Sequence, residues 1–171
     1  MGQVNGNASD VTSFFTQEEI NKLYQRFKKL DTDGNDELSP EEFLDIPALT
    51  NNPLVHRVIH VFDKNKDGKI SFPEFLAGLS TLSVGADDEK KLRFVFKVYD
   101  YDDDGVISNG DLFKVLKMMV GNNLSDVQLQ QLVDRTIVKA DKDKDGVINF
   151  EEFCDEVRSL NIAKKLTLSY S

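Results

Sequence analysis

The chain has 171 residues, with 21 Lys and Arg against 30 Asp and Glu, for a formal net charge of −9. A hydrophobic fraction of 40% with 12 Phe excludes wholesale disorder and suits one domain or two small ones. The acidity argues against a nucleic-acid binder; no run approaches the ~18 apolar residues of a membrane span, and none near Met1 resembles a secretory signal.

In chain order, Leu23, Phe27 and Leu30 recur at helical spacing. They lead into a twelve-residue segment, 31–42, that opens with Asp and alternates oxygen-bearing side chains. Ile59 and Phe62 precede a second such segment, 63–74; Leu92, Phe96 and Tyr99 a third, 100–111; Leu129, Leu132, Val133 and Ile137 a fourth, 141–152. Phe43, Phe75, Leu112 and Phe153 each stand one residue past a segment's end. Thr16 with Glu19 and Ser125 with Gln128 read as capping boxes; Ser39-Pro40 with Glu42 reads as another helix start. The pattern is helix–loop–helix, four times.

Twelve-residue loops of this kind suit Ca²⁺, a hard cation that takes six to eight oxygens. Side chains at positions 1, 3 and 5, a backbone carbonyl at 7 and a bidentate acid at 12 form the cage, and position 6 turns sharply, hence Gly. The candidate ligands of the first loop are Asp31, Asp33, Asn35, Glu37 and Glu42, and of the second Asp63, Asn65, Asp67, Lys69 and Glu74. In the third they are Asp100, Asp102, Asp104, Val106 and Asp111, and in the fourth Asp141, Asp143, Asp145, Val147 and Glu152. At position 8, Leu38 is expected to face Ile70 and Ile107 to face Ile148 in short antiparallel bridges.

This pairing predicts an all-α fold of four helix–loop–helix units in two lobes, 16–84 and 85–160, with an N-terminal segment 1–15 and a tail 161–171. The loops are not equivalent. Asp36 stands in the first where Gly is expected, at a cost of roughly 1–2 kcal/mol in the left-handed region. Asp111 ends the third in place of Glu, which weakens Ca²⁺ and suits Mg²⁺ better. Four charged ligands in the fourth loop make it the tightest expected site, and the first the weakest.

These loops resemble those of EF-hand proteins. Residues 26–30, 52–55, 91–94, 107–110 and above all 116–124, Leu-Lys-Met-Met-Val-Gly-Asn-Asn-Leu, resemble the calcineurin B family, the regulatory subunits of a Ca²⁺/calmodulin-dependent serine/threonine phosphatase. The resemblance runs from about Phe14 to Leu160. It implies four Ca²⁺, no catalytic activity, and a hydrophobic groove that holds an amphipathic helix of the catalytic subunit. It also implies that Met118, Met119, Val120, Gly121, Asn122, Asn123 and Leu124 border a surface for immunophilin–drug complexes and substrate docking motifs. Family members are N-myristoylated; Gly2 is present, although Gly6 stands where the acylation motif wants Ser or Thr. One acyl chain gives only weak membrane association.

Other constellations carry less. His56 and His60 have zinc-chelating spacing but no third ligand, and lone Cys154 reads as a packed side chain that favours a reducing, cytoplasmic setting. The alternatives to a phosphatase regulator are a related sensor that binds a transporter or kinase helix, and a cytosolic calcium buffer.

Overall fold

The computed structural model describes residues 15–82 and 88–169, and only the backbone of 48, 49, 82 and 160–169. Gly2 and the expected lobe boundary at 84/85 lie outside the described residues. Nine helices and one small sheet are described. They are α1 Gln17–Leu30, β1 Glu37–Leu38, α2 Pro40–Leu44, α3 Pro47–Thr50, α4 Val55–Phe62, β2 Ile70–Ser71 and α5 Phe72–Leu82. The rest are α6 Asp88–Tyr99, α7 Asn109–Val120, α8 Asp126–Ala140 and α9 Phe150–Ser169, which continues through most of the segment expected as a tail.

Helix starts follow the local chemistry. Capping boxes form at Thr16/Glu19, Ser39/Glu42 and Ser125/Gln128 as the sequence indicates, and a further one at Ser108/Asp111. One expected helix is broken. The exit helix of the first unit divides into α2 and α3, because Pro47 offers no amide hydrogen and disfavours a helical Ile46 before it. The backbone tightens there to Asp45 N–Glu42 O and Ile46 N–Phe43 O, each 3.2 Å. The Thr50 hydroxyl then donates to the Leu44 carbonyl at 2.8 Å and the Ile46 carbonyl at 3.1 Å.

The chain divides into two compact units, Met1–Phe94 and Val95–Ser171. In the first, β1 and β2 pair antiparallel with Leu38 opposite Ile70, both fully buried. Phe27 packs against Phe72 and Phe75, and Phe62 against Phe43 and Phe94. In the second, Ile107 and Ile148 exchange backbone hydrogen bonds of 2.8 and 2.9 Å in a single antiparallel bridge. Around it Phe96 meets Phe150 and Phe153 edge-on, with Val115, Leu129 and Val133 fully buried. Phe43, Phe75, Leu112 and Phe153, the residues after the loops, are all buried. Two helical stripes differ from the sequence pattern. Leu132 is 38% exposed, because Leu129, Val133 and Ile137 suffice to fill the buried face of α8. On α6, Phe94 and Val98 are buried besides Phe96, more than one stripe would bury.

α4 and α5 approach so closely that a Cβ on Gly78 would lie 2.4 Å from the Phe62 ring. The ring is buried and packs edge-on against Phe43 and Phe94. We expect Gly78→Ala to destabilise the first unit by about 1–3 kcal/mol, as overpacked cores do. Thermal and urea unfolding of the metal-free chain measures this; unchanged stability would contradict the packing described.

Candidate metal centre

Each loop is built around the aspartate at position 1. Its carboxylate lies under the loop and accepts two backbone hydrogen bonds, one from position 5 and one from position 6. The position-6 bonds are Asp36 N to Asp31 at 2.8 Å, Gly68 N to Asp63 at 2.8 Å, Gly105 N to Asp100 at 2.9 Å and Gly146 N to Asp141 at 2.8 Å. The position-5 bonds, from Asn35, Asp67, Asp104 and Asp145, are each 3.2 Å. The amide of position 7 in turn donates to the side chain of position 5: Glu37 to Asn35, Lys69 to Asp67, Val106 to Asp104 and Val147 to Asp145. The first loop repeats the lattice of the other three.

That lattice needs two left-handed residues. Position 4 has φ of 57°, 58° and 61° at Lys66, Asp103 and Lys144, and position 6 has 85°, 88° and 87° at Gly68, Gly105 and Gly146. In the first loop the two residue types are exchanged: Gly34 at position 4 has φ 69° and Asp36 at position 6 has φ 65°. Each loop therefore holds one glycine and one non-glycine residue in this region. The cost expected for Asp36 is offset by the relief at Gly34, where the other loops carry Lys or Asp. Asp36 also sits nearer the ordinary left-handed minimum than the glycines it replaces. The exchange is visible in the sequence only once position 4 is known to be left-handed as well.

The carboxylates converge. Oxygens of Asp31, Asp33 and Glu42, of Asp63, Asp67 and Glu74, of Asp100, Asp102, Asp104 and Asp111, and of Asp141, Asp143, Asp145 and Glu152 lie within 4.8 Å of one another in each loop. Asn35 and Asn65 join their clusters, each donating its side-chain amide to a neighbouring acid, Asp33 at 3.3 Å and Asp67 at 3.2 Å. The donor set is all oxygen and strongly anionic, which fits a hard divalent cation.

Position 12 separates the third loop from the rest. The glutamates reach back across the loop: Glu42 accepts from the amides of Thr32 at 2.7 Å and Asp33 at 3.2 Å, Glu74 from Asn65 at 3.2 Å, and Glu152 from Lys142 at 2.6 Å and Asp143 at 3.2 Å. Their other oxygen accepts from the position-9 amide. Asp111 makes the second kind of bond, from Ser108 at 3.1 Å; its shorter arm lacks a methylene for the first.

Electrostatics differ accordingly. Burial would push Glu42 up, but the hydrogen bonds from Ser39, Asp33 and Thr32 outweigh it and draw its pKa down to about 2. In the third loop, burial of Asp100 together with the nearby Asp104 pushes its pKa up to about 6. Between the first two loops, burial and the charge of Asp67 raise Glu37. Two ion pairs brace the fourth loop: Lys142, at its position 2, pairs with Asp155 at 2.7 Å and Lys139 with Glu156 at 3.0 Å, each joining its entry side to α9. The sequence pattern gives no signal for these pairs, which follow from where α9 lies against α8 and the fourth loop.

Of the other residues singled out by sequence, Met118 and Met119 are 37% and 45% exposed near the end of α7. Gly121 closes that helix with φ 55°, and Asn123 N donates to the Val120 carbonyl at 2.9 Å. Cys154 is buried, and His56 is exposed on α4.

A carboxylate that holds a proton must release it to a cation. Asp100, with its pKa near 6, is about half protonated at pH 6 and ionised at pH 8. Adding Ca²⁺ in weak buffer at pH 6 should therefore release a proton fraction that is absent at pH 8 and lost in Asp100→Asn. Equal release at both values would contradict the raised pKa.

Comparison with known proteins agrees with this geometry. The family model for an EF-hand domain pair matches residues 20–80 and 89–158. The calcineurin B protein of Naegleria gruberi is 60% identical over 154 residues, 90% of this chain and 87% of that protein. The human type 2 calcineurin B protein is 57% identical over 168 residues, 98% of this chain and 99% of the relative. The calcineurin B protein of Yarrowia lipolytica is 55% identical over 154 residues, covering 90% and 89%. With paired EF-hand domains, four oxygen-lined clusters and relatives aligned along nearly its whole length, the chain is a calcium-binding protein that belongs to the calcineurin B family.

Proposed function

We propose that this chain is the calcium-sensing, non-catalytic regulatory subunit of a calcineurin-type serine/threonine phosphatase, and that all four of its loops bind Ca²⁺. The observation that carries the reading is the shared hydrogen-bond lattice of the four loops in a chain so similar to calcineurin B proteins. The ligands at each site are the side chains of positions 1, 3, 5 and 12 and the position-7 carbonyl of Glu37, Lys69, Val106 or Val147. The fourth loop combines four carboxylates, a long closing Glu152 and two bracing ion pairs, and is the tightest site. The third, closed by Asp111, is the one most open to Mg²⁺, whose six-coordinate geometry needs a single carboxylate oxygen there.

Tight sites hold each lobe in shape, and weaker ones couple ion occupancy to the angle between helices. The partner is an amphipathic helix of the catalytic subunit, lying in an apolar groove. The exposed Met118 and Met119 support a soft contact surface along 118–124, where immunophilin–drug complexes and substrate docking motifs would meet the assembled enzyme. Acylation of Gly2 would add weak membrane affinity to a cytoplasmic protein. Among the described residues no helix is long and apolar enough to cross a membrane.

Three measurements test this reading. Affinity capture of the tagged chain from its native cells should retrieve a phosphatase catalytic chain; a calcium buffer would retrieve none. Asp111→Glu should raise Ca²⁺ affinity at the third site about tenfold and reduce Mg²⁺ competition, by calorimetry; unchanged affinity would refute the role given to the short arm. Intact mass spectrometry of the native protein reports acylation, an unmodified N-terminus refuting it.

A further inference from the structure

The first loop ties its position-6 residue to its entry helix. Asp36 has a side chain where the other three loops have glycine, and that side chain is held. Lys28, in the last turn of α1, places its Nζ 2.7 Å from Asp36 Oδ1. The same ammonium lies 6.0 Å from the centre of the Tyr24 ring, one turn earlier on α1. The Asp36 amide meanwhile donates to Asp31 Oδ2 at 2.8 Å. One residue therefore joins the entry helix, through its carboxylate, to the position-1 ligand, through its amide.

We propose that Lys28 is a positioning residue for the first calcium site, holding Asp36 in the left-handed turn that the loop needs around the ion. It touches no ligand oxygen; it acts through Asp36. The inference rests on the reading that the first loop binds Ca²⁺. The glycine loops have no side chain at position 6; in the second, the left-handed residue tied to its entry helix is Lys66 at position 4, whose ammonium donates to the His60 carbonyl at 2.6 Å. The first loop pairs a freely rotating Gly34 with a steered Asp36, so its order depends on the tether. Both side chains are partly in solvent, 40% exposed at Lys28 and 76% at Asp36, so the effect is modest and screened by salt.

Removing Lys28 also removes a positive charge, which by itself favours a cation nearby. A double-mutant cycle separates the two effects. In the full chain, Ca²⁺ occupancy of the first loop is followed by the amide resonance of Gly34. Four proteins are titrated: the native chain, Lys28→Met, Asp36→Gly and the double variant. The bare charge acts alike with and without Asp36, whereas the tether exists only with it. We expect Lys28→Met to weaken the site about threefold more in the native background than in the Asp36→Gly background, the size an exposed, well-aligned pair supports. Lys28→Arg should keep native affinity, and high salt should shrink the coupling. A ratio of one, or a coupling indifferent to salt, overturns the proposal while leaving the site in place. A Gly34 resonance unmoved by Ca²⁺ in every background, while the other loops respond, overturns the site as well.

Discussion

The aspartate at position 1 is the interaction on which the molecule depends. Asp31, Asp63, Asp100 and Asp141 each cap the end of a helix and accept the amides of positions 5 and 6. Those bonds bend twelve residues into a ring only if positions 4 and 6 turn left-handed. Once the ring is set, position 8 lies against its partner loop, and Leu38 with Ile70, or Ile107 with Ile148, seals the base of each pair. The helices then pack outward from these bridges. Local backbone chemistry, rather than a large shared core, decides where the acids end up.

Concentrating carboxylates in this way is costly without a cation. The four loops hold 19 of the 30 acids and only 5 of the 21 bases in the chain. Burial, with the added charge of Asp104 and Asp67, raises the pKa of Asp100 and Glu37. Backbone amides relieve part of the cost, most fully at Glu42. A divalent ion relieves the rest, so its binding energy is also folding energy for the loops.

Much of this was legible in the sequence, because EF-hand loops are read by position. The four loops, the facing of Leu38 with Ile70 and Ile107 with Ile148, and three capping boxes follow from spacing alone. What the sequence hid was of two kinds. Some signals were present but needed backbone geometry to interpret: Gly34 offsets Asp36, and Pro47 breaks the second helix. Others are contacts that no periodicity encodes: Lys28 reaches Asp36 in the loop that follows its helix, and Lys142 with Asp155 and Lys139 with Glu156 depend on where α9 lies against the fourth loop and α8. Leu132 lay on a helical stripe yet faces solvent, because its neighbours already fill the buried face.

Despite Asp36, the first loop is built like the other three. Native mass spectrometry of the chain at saturating Ca²⁺ and free of Mg²⁺ tests it most directly. Four bound ions are expected, falling to three when Asp31 is replaced by Ala. Three ions on the native chain, unchanged by Asp31→Ala, would contradict it.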